Sequence, residues 1–160
     1  MTTNPFFRLV TVITRPFFKL LDWITPLAAL LARCWVGYVF LKSGLLKLDH
    51  WDSTVMLFAY EFHVPLIPAE IAAVIGTAAE IILPLFVILG LGSRLMVALL
   101  FLFNLVAAIS YPHLWTPDGL DGLIQHVNWG AILLLLMCFG TGKWSLDQLL
   151  IMLFNRKANS

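Results

Sequence analysis

The chain has 160 residues, 61% of them hydrophobic and 12% charged, with a formal net charge of +1 and a mean hydropathy of +0.92. Soluble domains run at about 45–50% apolar and about 25% charged, so this composition describes an integral membrane protein. The length fits one domain, residues 1–160, without a separate soluble module. The small net charge argues against nucleic acid as a partner, and two cysteines without a Cys-x-x-Cys motif exclude a disulfide framework or a thiolate zinc site.

In chain order, residues 4–23 read as an interfacial amphipathic helix. Arg8, Thr11, Arg15, Lys19 and Asp22 fall on one face and Phe6, Val10, Phe17 and Leu21 on the other, a pattern suited to the headgroup boundary. Pro16 is expected to kink or divide it. No small-residue cleavage site follows the first apolar run, so the N-terminus is expected to be retained.

The first span covers residues 26–48, roughly 34 Å of helix against a hydrocarbon core of roughly 30 Å. Arg33, Gly37, Phe40, Gly44 and Lys47 recur at alternating steps of four and three, so they share one stripe. An Arg at mid-membrane costs roughly 2.5–3.5 kcal/mol on the gentlest scale. The stripe should therefore face protein, its glycines admitting a neighbouring backbone.

A break over 49–68 holds a short helix, 54–62, with Asp52 or Ser53 as its cap. Its aromatic residues suit a segment on the bilayer or over the mouth of the bundle. The second span, 69–91, carries Gly76, Glu80 and Pro84 on one face, and Pro84 leaves the Glu80 carbonyl without its helical donor. Gly90-Leu-Gly-Ser-Arg94 predicts a tight helix–helix turn with Ser93 as the N-cap. The third span, 93–111, has Asn104 as its strongly polar interior residue. A loop rich in Pro, Gly, Asp and His leads to the fourth span, 124–140. Ser145-x-x-Gln148 resembles a capping box opening a short helix, 145–154.

The expected architecture is thus an all-α four-helix transmembrane bundle with an N-terminal interfacial helix and a short C-terminal helix. Arg8, Arg15, Lys19, Arg94, Lys143, Arg156 and Lys157 fall on one predicted side. The positive-inside rule puts that side, with both termini, in the cytoplasm.

Among candidate site residues, Arg33 and Glu80 come first. Counted from the predicted inner ends of their spans, their depths differ by roughly 6 Å, within reach of a guanidinium. Leaving both unpaired costs at least about 5 kcal/mol, so an Arg33–Glu80 pair is expected. Such a pair either fixes helix register or forms a polar site for a quinone headgroup or an anion. Lys47 and Asn104 complete the polar core, while Gly37, Gly44, Gly76 and Pro84 set helix packing. His50, His63, His113 and His126 all fall on the outer side near carboxylates, and His113 and His126 are the candidates for a metal site. Cys34 and Cys138 both lie in the inner half of the membrane, as apolar filler or as a redox pair.

The pattern Arg33…Gly37…Phe40…Ser43-Gly44-x-x-Lys47-Leu48, then Gly76…Glu80…Pro84, then Gly90-Leu-Gly-Ser-Arg94, resembles the DoxX family of bacterial membrane proteins. His126…Asn128 and the terminal Gly140-x-Gly-x-x-Ser-Leu-Asp147 extend the resemblance to about residues 27–150. It implies a bacterial inner-membrane protein of four helices. Relatives include a membrane subunit of thiosulfate:quinone oxidoreductase and proteins associated with oxidative, thiol or metal stress.

Three readings follow. The first is an accessory subunit of a membrane redox or stress assembly, a quinone binder rather than a stand-alone enzyme, with the lipid bilayer and other subunits as partners. The second is a small transporter or channel for a proton-coupled ion or solute, which four spans would require to be a homo-oligomer. The third is a structural anchor in which every polar residue serves packing. No phosphate-binding loop or serine nucleophile motif is visible.

Overall fold

A computed structural model describes residues 5–64, 66–140 and 142–158. Among them the regular structure is entirely helical. Helix α1 (Pro5–Asp49) leads into α2 (Trp51–Tyr60), α3 (Ala69–Leu89) and α4 (Ser93–Ser110). Two short 3-10 turns, Pro112–Trp115 and Pro117–Gly119, precede α5 (Leu120–Phe139) and α6 (Leu146–Ala158). Helix α1 packs along α3, α3 against α4, α4 against α5, and α5 returns to α1. The core on their shared axis is built from Val36, Phe40, Val87, Val97, Leu100 and Leu133.

The predicted division of the N-terminal region into an interfacial helix and a separate span is corrected: α1 is one helix of 45 residues containing Pro16 and Pro26. Each proline removes one backbone hydrogen bond, but no glycine or asparagine between Pro5 and Val36 offers a stop. The Thr25 hydroxyl also donates to the Leu21 carbonyl at 2.8 Å, satisfying the turn beside Pro26. Asn4 and the side chains of Arg8 and Thr11 lie outside the described residues.

Three helices, Val12–Asp49, Ala69–Leu89 and Pro117–Phe139, are long and apolar enough to cross a membrane, and α4 is a shorter apolar helix. The exposed Ile71, Val74, Ile82, Leu99, Leu102, Val106, Leu134 and Leu135 cover the outside of this packing. That is an apolar surface suited to lipid rather than water.

The turns depart from expectation by a few residues. Helix α2 begins at Trp51 with His50 as N-cap and no side-chain cap, so neither Asp52 nor Ser53 caps it. Helix α3 ends in left-handed Gly90, φ +66. There Gly90 N–H donates to Val87 and Leu91 N–H to Phe86, the Schellman arrangement. Gly92, not Ser93, is the N-cap of α4, and its N–H donates to Asp147 Oδ1 at 3.0 Å. Helix α5 starts four residues before the expected 124, after a turn in which Thr116 Oγ1 accepts from Gly119 N–H. Ser145 Oγ accepts from Gln148 N–H at 3.3 Å to open α6, which runs on to Ala158.

Candidate functional site: a Lys47–Glu80 ion pair between aromatic cavities

Helices α1 and α3 run antiparallel, and Gly44 sits against Glu80. A Cβ added at Gly44 would lie 2.9 Å from Glu80 Cβ and 3.0 Å from its carbonyl carbon. This close approach lets Lys47, less than one turn further along, reach across the interface. Its Nζ donates to Glu80 Oε2 at 2.6 Å and Oε1 at 2.8 Å, and to Ser43 Oγ at 2.9 Å. All three ammonium protons thereby have acceptors. Glu80 is 7% exposed, so the attraction acts in a poorly screened environment. The Thr54 hydroxyl donates to the Lys47 carbonyl at 2.9 Å and ties α2 over the end of α1.

The expected Arg33–Glu80 pair does not form. Arg33 is fully buried but lies near the α3–α4 turn, where a Cβ at Gly90 would collide with its Nη1. Its Nη2 donates to the Trp144 carbonyl. Gly90 is ten residues beyond Glu80, roughly 15 Å along the helix. Helix α1 has no end at Pro26, so Arg33 lies at a different level from the one expected of a span beginning there.

Two cavities meet at the ion pair. One, about 260 Å³, is lined by Phe40, Ser43, Phe62, Tyr111, His126 and Trp129 together with Lys47 and Glu80. The other, about 170 Å³ and almost wholly apolar, lies between Phe58, Phe62, Ile75, Gly76 and Phe103, again touching Lys47 and Glu80. Phe62 stands between the two, stacked on Phe58 at 4.8 Å and on Tyr111 at 4.9 Å between ring centroids. Gly76 makes room for this stack, since a Cβ there would come 2.8 Å from Phe58 Cζ. Tyr111 lies at the mouth and donates to Glu61 Oε2 at 2.9 Å. Partial burial and that acidic neighbour hold its hydroxyl above the usual tyrosine range.

The family model of DoxX matches residues 28–113, more than half of the chain and the whole stretch from Arg33 to Asn104. The chain belongs to the DoxX family. Among curated proteins and solved structures, nothing matches it. Family membership and the apolar helices together make this a membrane protein.

In this DoxX protein a second polar pair reaches the larger cavity through His126. Asn104, buried on α4, donates from Nδ2 to the His126 carbonyl at 3.0 Å. Its Oδ1 faces His126 Nδ1 at 2.8 Å. Because the amide must present nitrogen to the carbonyl, its oxygen faces the ring, which places the imidazole proton on Nδ1. A ring carrying only that proton keeps Nε2 as an acceptor. Gly130 accommodates the arrangement, its missing Cβ falling 3.2 Å from Asn104 Nδ2. The His126 ring packs edge-on against Trp129 at 5.0 Å, and Trp129 against Phe40 at 5.6 Å.

The other candidates are dispersed. His113 is exposed on a 3-10 turn, its ring 5.7 Å from Tyr111. Among the described residues no three of His, Cys, Asp and Glu gather in a group that can hold a metal ion, so His113 and His126 are not brought into one. Cys34 and Cys138 are both free thiols, the latter exposed. Residues of this site not singled out from sequence are Phe62, Tyr111 and Trp129. Phe62 and Tyr111 belong to the aromatic-rich breaks between helices and Trp129 to the apolar run of α5, and neither context says which rings turn inward.

Proposed function

We propose that this DoxX protein is an accessory, non-catalytic subunit of a redox or stress-response assembly in the bacterial inner membrane, and that the Lys47–Glu80 cavity binds a quinone headgroup. The observation that carries the reading is an ion pair inside an apolar interface, open to a cavity walled by Phe40, Phe62 and Trp129. Flat aromatic walls with a few convergent polar groups are what an amphipathic ring requires.

The polar inventory favours the reduced form. Lys47 has its protons engaged with Glu80 and Ser43. Glu80 and His126 Nε2 remain as acceptors, and the hydroxyls of a quinol donate where a quinone carbonyl cannot. A bound quinol supplies two electrons and two protons to a partner. This chain's contribution is to bind and orient the ring, with its redox partner on another subunit.

Helix α4 crosses the membrane with the three longer helices in this reading, its 18 residues covering roughly 27 Å. Arg94 and Lys143 lie near the two turns joined through Asp147, which supports a cytoplasmic location for that end and for both termini.

The test is isothermal titration calorimetry of the purified protein with a short-chain ubiquinol and the matching ubiquinone, with tryptophan quenching that disappears in Trp129→Phe assigning the site. Binding of the quinol at least several-fold tighter than the quinone, weakened by Glu80→Gln and lost in Trp129→Leu, is the expected result. No saturable response to either form, together with no quinone in a solvent extract of the protein, would overturn the reading.

A further inference from the structure

Arg33 is 0% exposed, yet among the described residues its Nε and Nη1 have no hydrogen-bond partner. Only Nη2 is engaged, with the Trp144 carbonyl. A guanidinium stays charged, and among the described residues no carboxylate meets it. A buried cation without an anion is strongly unfavourable unless something supplies the missing charge.

The surroundings indicate what supplies it. Beside Arg33, between the end of α5 and α6, lies an open groove of about 560 Å³ lined by Arg94, Lys143, Ser145 and Asp147. The same added Cβ at Gly90 that collides with Arg33 Nη1 would lie 2.6 Å from Ser145 Cβ, so the unpaired nitrogen sits directly behind a wall of the groove. Its carboxylate, Asp147, already accepts from Gly92 N–H, against the cations Arg94, Lys143 and Arg33. Helix α6 beside it exposes Leu149, Leu150, Ile151, Leu153 and Phe154, an apolar face suited to the edge of a bilayer.

We propose that this groove is a phosphate-binding site, with Arg94 and Lys143 at its rim and the N–H groups of Arg33 behind its Ser145 wall. The forked guanidinium matches phosphoryl oxygens, and the outer cations match the remaining charge. Contact between the ligand and Arg33 requires Ser145 and the Trp144 carbonyl to move aside, since both stand between Arg33 and the groove. The phosphate is either the headgroup of an anionic phospholipid or a free phosphate ion; the apolar face of α6 favours the lipid. This site is separate from the Lys47–Glu80 cavity and does not depend on the quinone reading.

The experiment is native mass spectrometry and thermal unfolding of the full chain in detergent, with phosphatidylglycerol, with diacylglycerol and with sodium phosphate against sodium chloride at matched ionic strength. Phosphatidylglycerol retained about tenfold more strongly than diacylglycerol assigns the lipid, and a rise in Tm with sodium phosphate alone assigns the free ion. Either result supports the site. The Arg94→Gln/Lys143→Gln variant changes two exposed positions, so it tests the rim even where Arg33→Gln fails to fold, and it is expected to lose most of the retention. Arg33→Lys keeps the charge without the fork and is expected to weaken it several-fold. Absence of any response to both phosphate probes, or retention unchanged in the rim variant, would overturn the proposal.

Discussion

Lys47 closes a two-oxygen ion pair on Glu80 across the α1–α3 interface, Nζ standing 2.6 and 2.8 Å from the carboxylate oxygens. The two side chains are only 15% and 10% exposed, so neither has much water to solvate it without the other. Glu80→Gln or Lys47→Met alone is expected to destabilise the protein by about 3–5 kcal/mol, because each strands the partner's charge. The double variant should recover much of that loss. A double-mutant cycle by SDS unfolding in mixed micelles measures it, and additive losses would show that the pair is not coupled.

The approach that makes this pair possible runs through Gly44. An added Cβ there meets Ile81 Cγ1 at 2.8 Å and the Glu80 backbone carbon at 3.0 Å, and backbone cannot turn aside. Gly44→Ala should therefore cost about 1–3 kcal/mol and lengthen the Lys47–Glu80 contact. At Gly37 the nearest obstacle is the Ile88 side chain, which has other rotamers. Gly37→Ala is expected to cost less than Gly44→Ala in the same unfolding assay, and the reverse order would refute the packing argument.

Asn104 satisfies two groups of His126 at once. Asn104→Leu removes the partner of the His126 ring nitrogen and the second hydrogen bond to its helical carbonyl, a loss of about 1–3 kcal/mol. Nitrogen NMR of labelled histidine should find the His126 proton on Nδ1 in the wild type and a tautomer mixture in Asn104→Leu. An Nε2-protonated ring in the wild type would contradict the assigned orientation of the amide.

Gly90 joins a positive φ of +66 to an absent side chain pressed between Arg33 and Ser145. Gly90→Ala meets both penalties, a left-handed backbone costing about 1–2 kcal/mol and displacement of the turn holding α6. Greater protease sensitivity at the α5–α6 junction, with little change elsewhere, is the expected signature. Unchanged digestion would show that the contact does not hold α6.

Tyr111 gives a pH signature outside the membrane spans. Its native pKa lies above the ordinary 10.0, through burial first and the Glu61 bond second. The folded state therefore holds the proton more tightly than the unfolded state. The resulting stabilisation is full below pH 10.0 and is lost as pH climbs through the raised native value. Tyr111→Phe should remove this component of the alkaline stability loss, which thermal scans from pH 8 to pH 11 compare directly.

What the residues alone determined is what depends on local signals. The apolar runs placed the helices because burying them in lipid or in one another dominates every other term. Gly90, Gly92 and Gly140 marked the turns because a left-handed backbone needs glycine, and Ser145 marked the start of α6. The stripe of Arg33, Gly37, Phe40, Gly44 and Lys47 follows from helical periodicity, and all but the half-buried Lys47 are buried.

The tertiary structure decided which cation on that stripe meets Glu80. Arg33 and Lys47 are fourteen residues apart on the same face, so periodicity does not choose between them, and both are long enough to reach. The choice rests on the sliding register of α3 against α1, set by the seating of Ile88 and Glu80 over Gly37 and Gly44 and by α1 continuing past Pro26. Register is a sum of contacts between distant segments, whereas periodicity belongs to one helix, and for that reason only the assembled helices separate the cation that pairs from the one left unpaired.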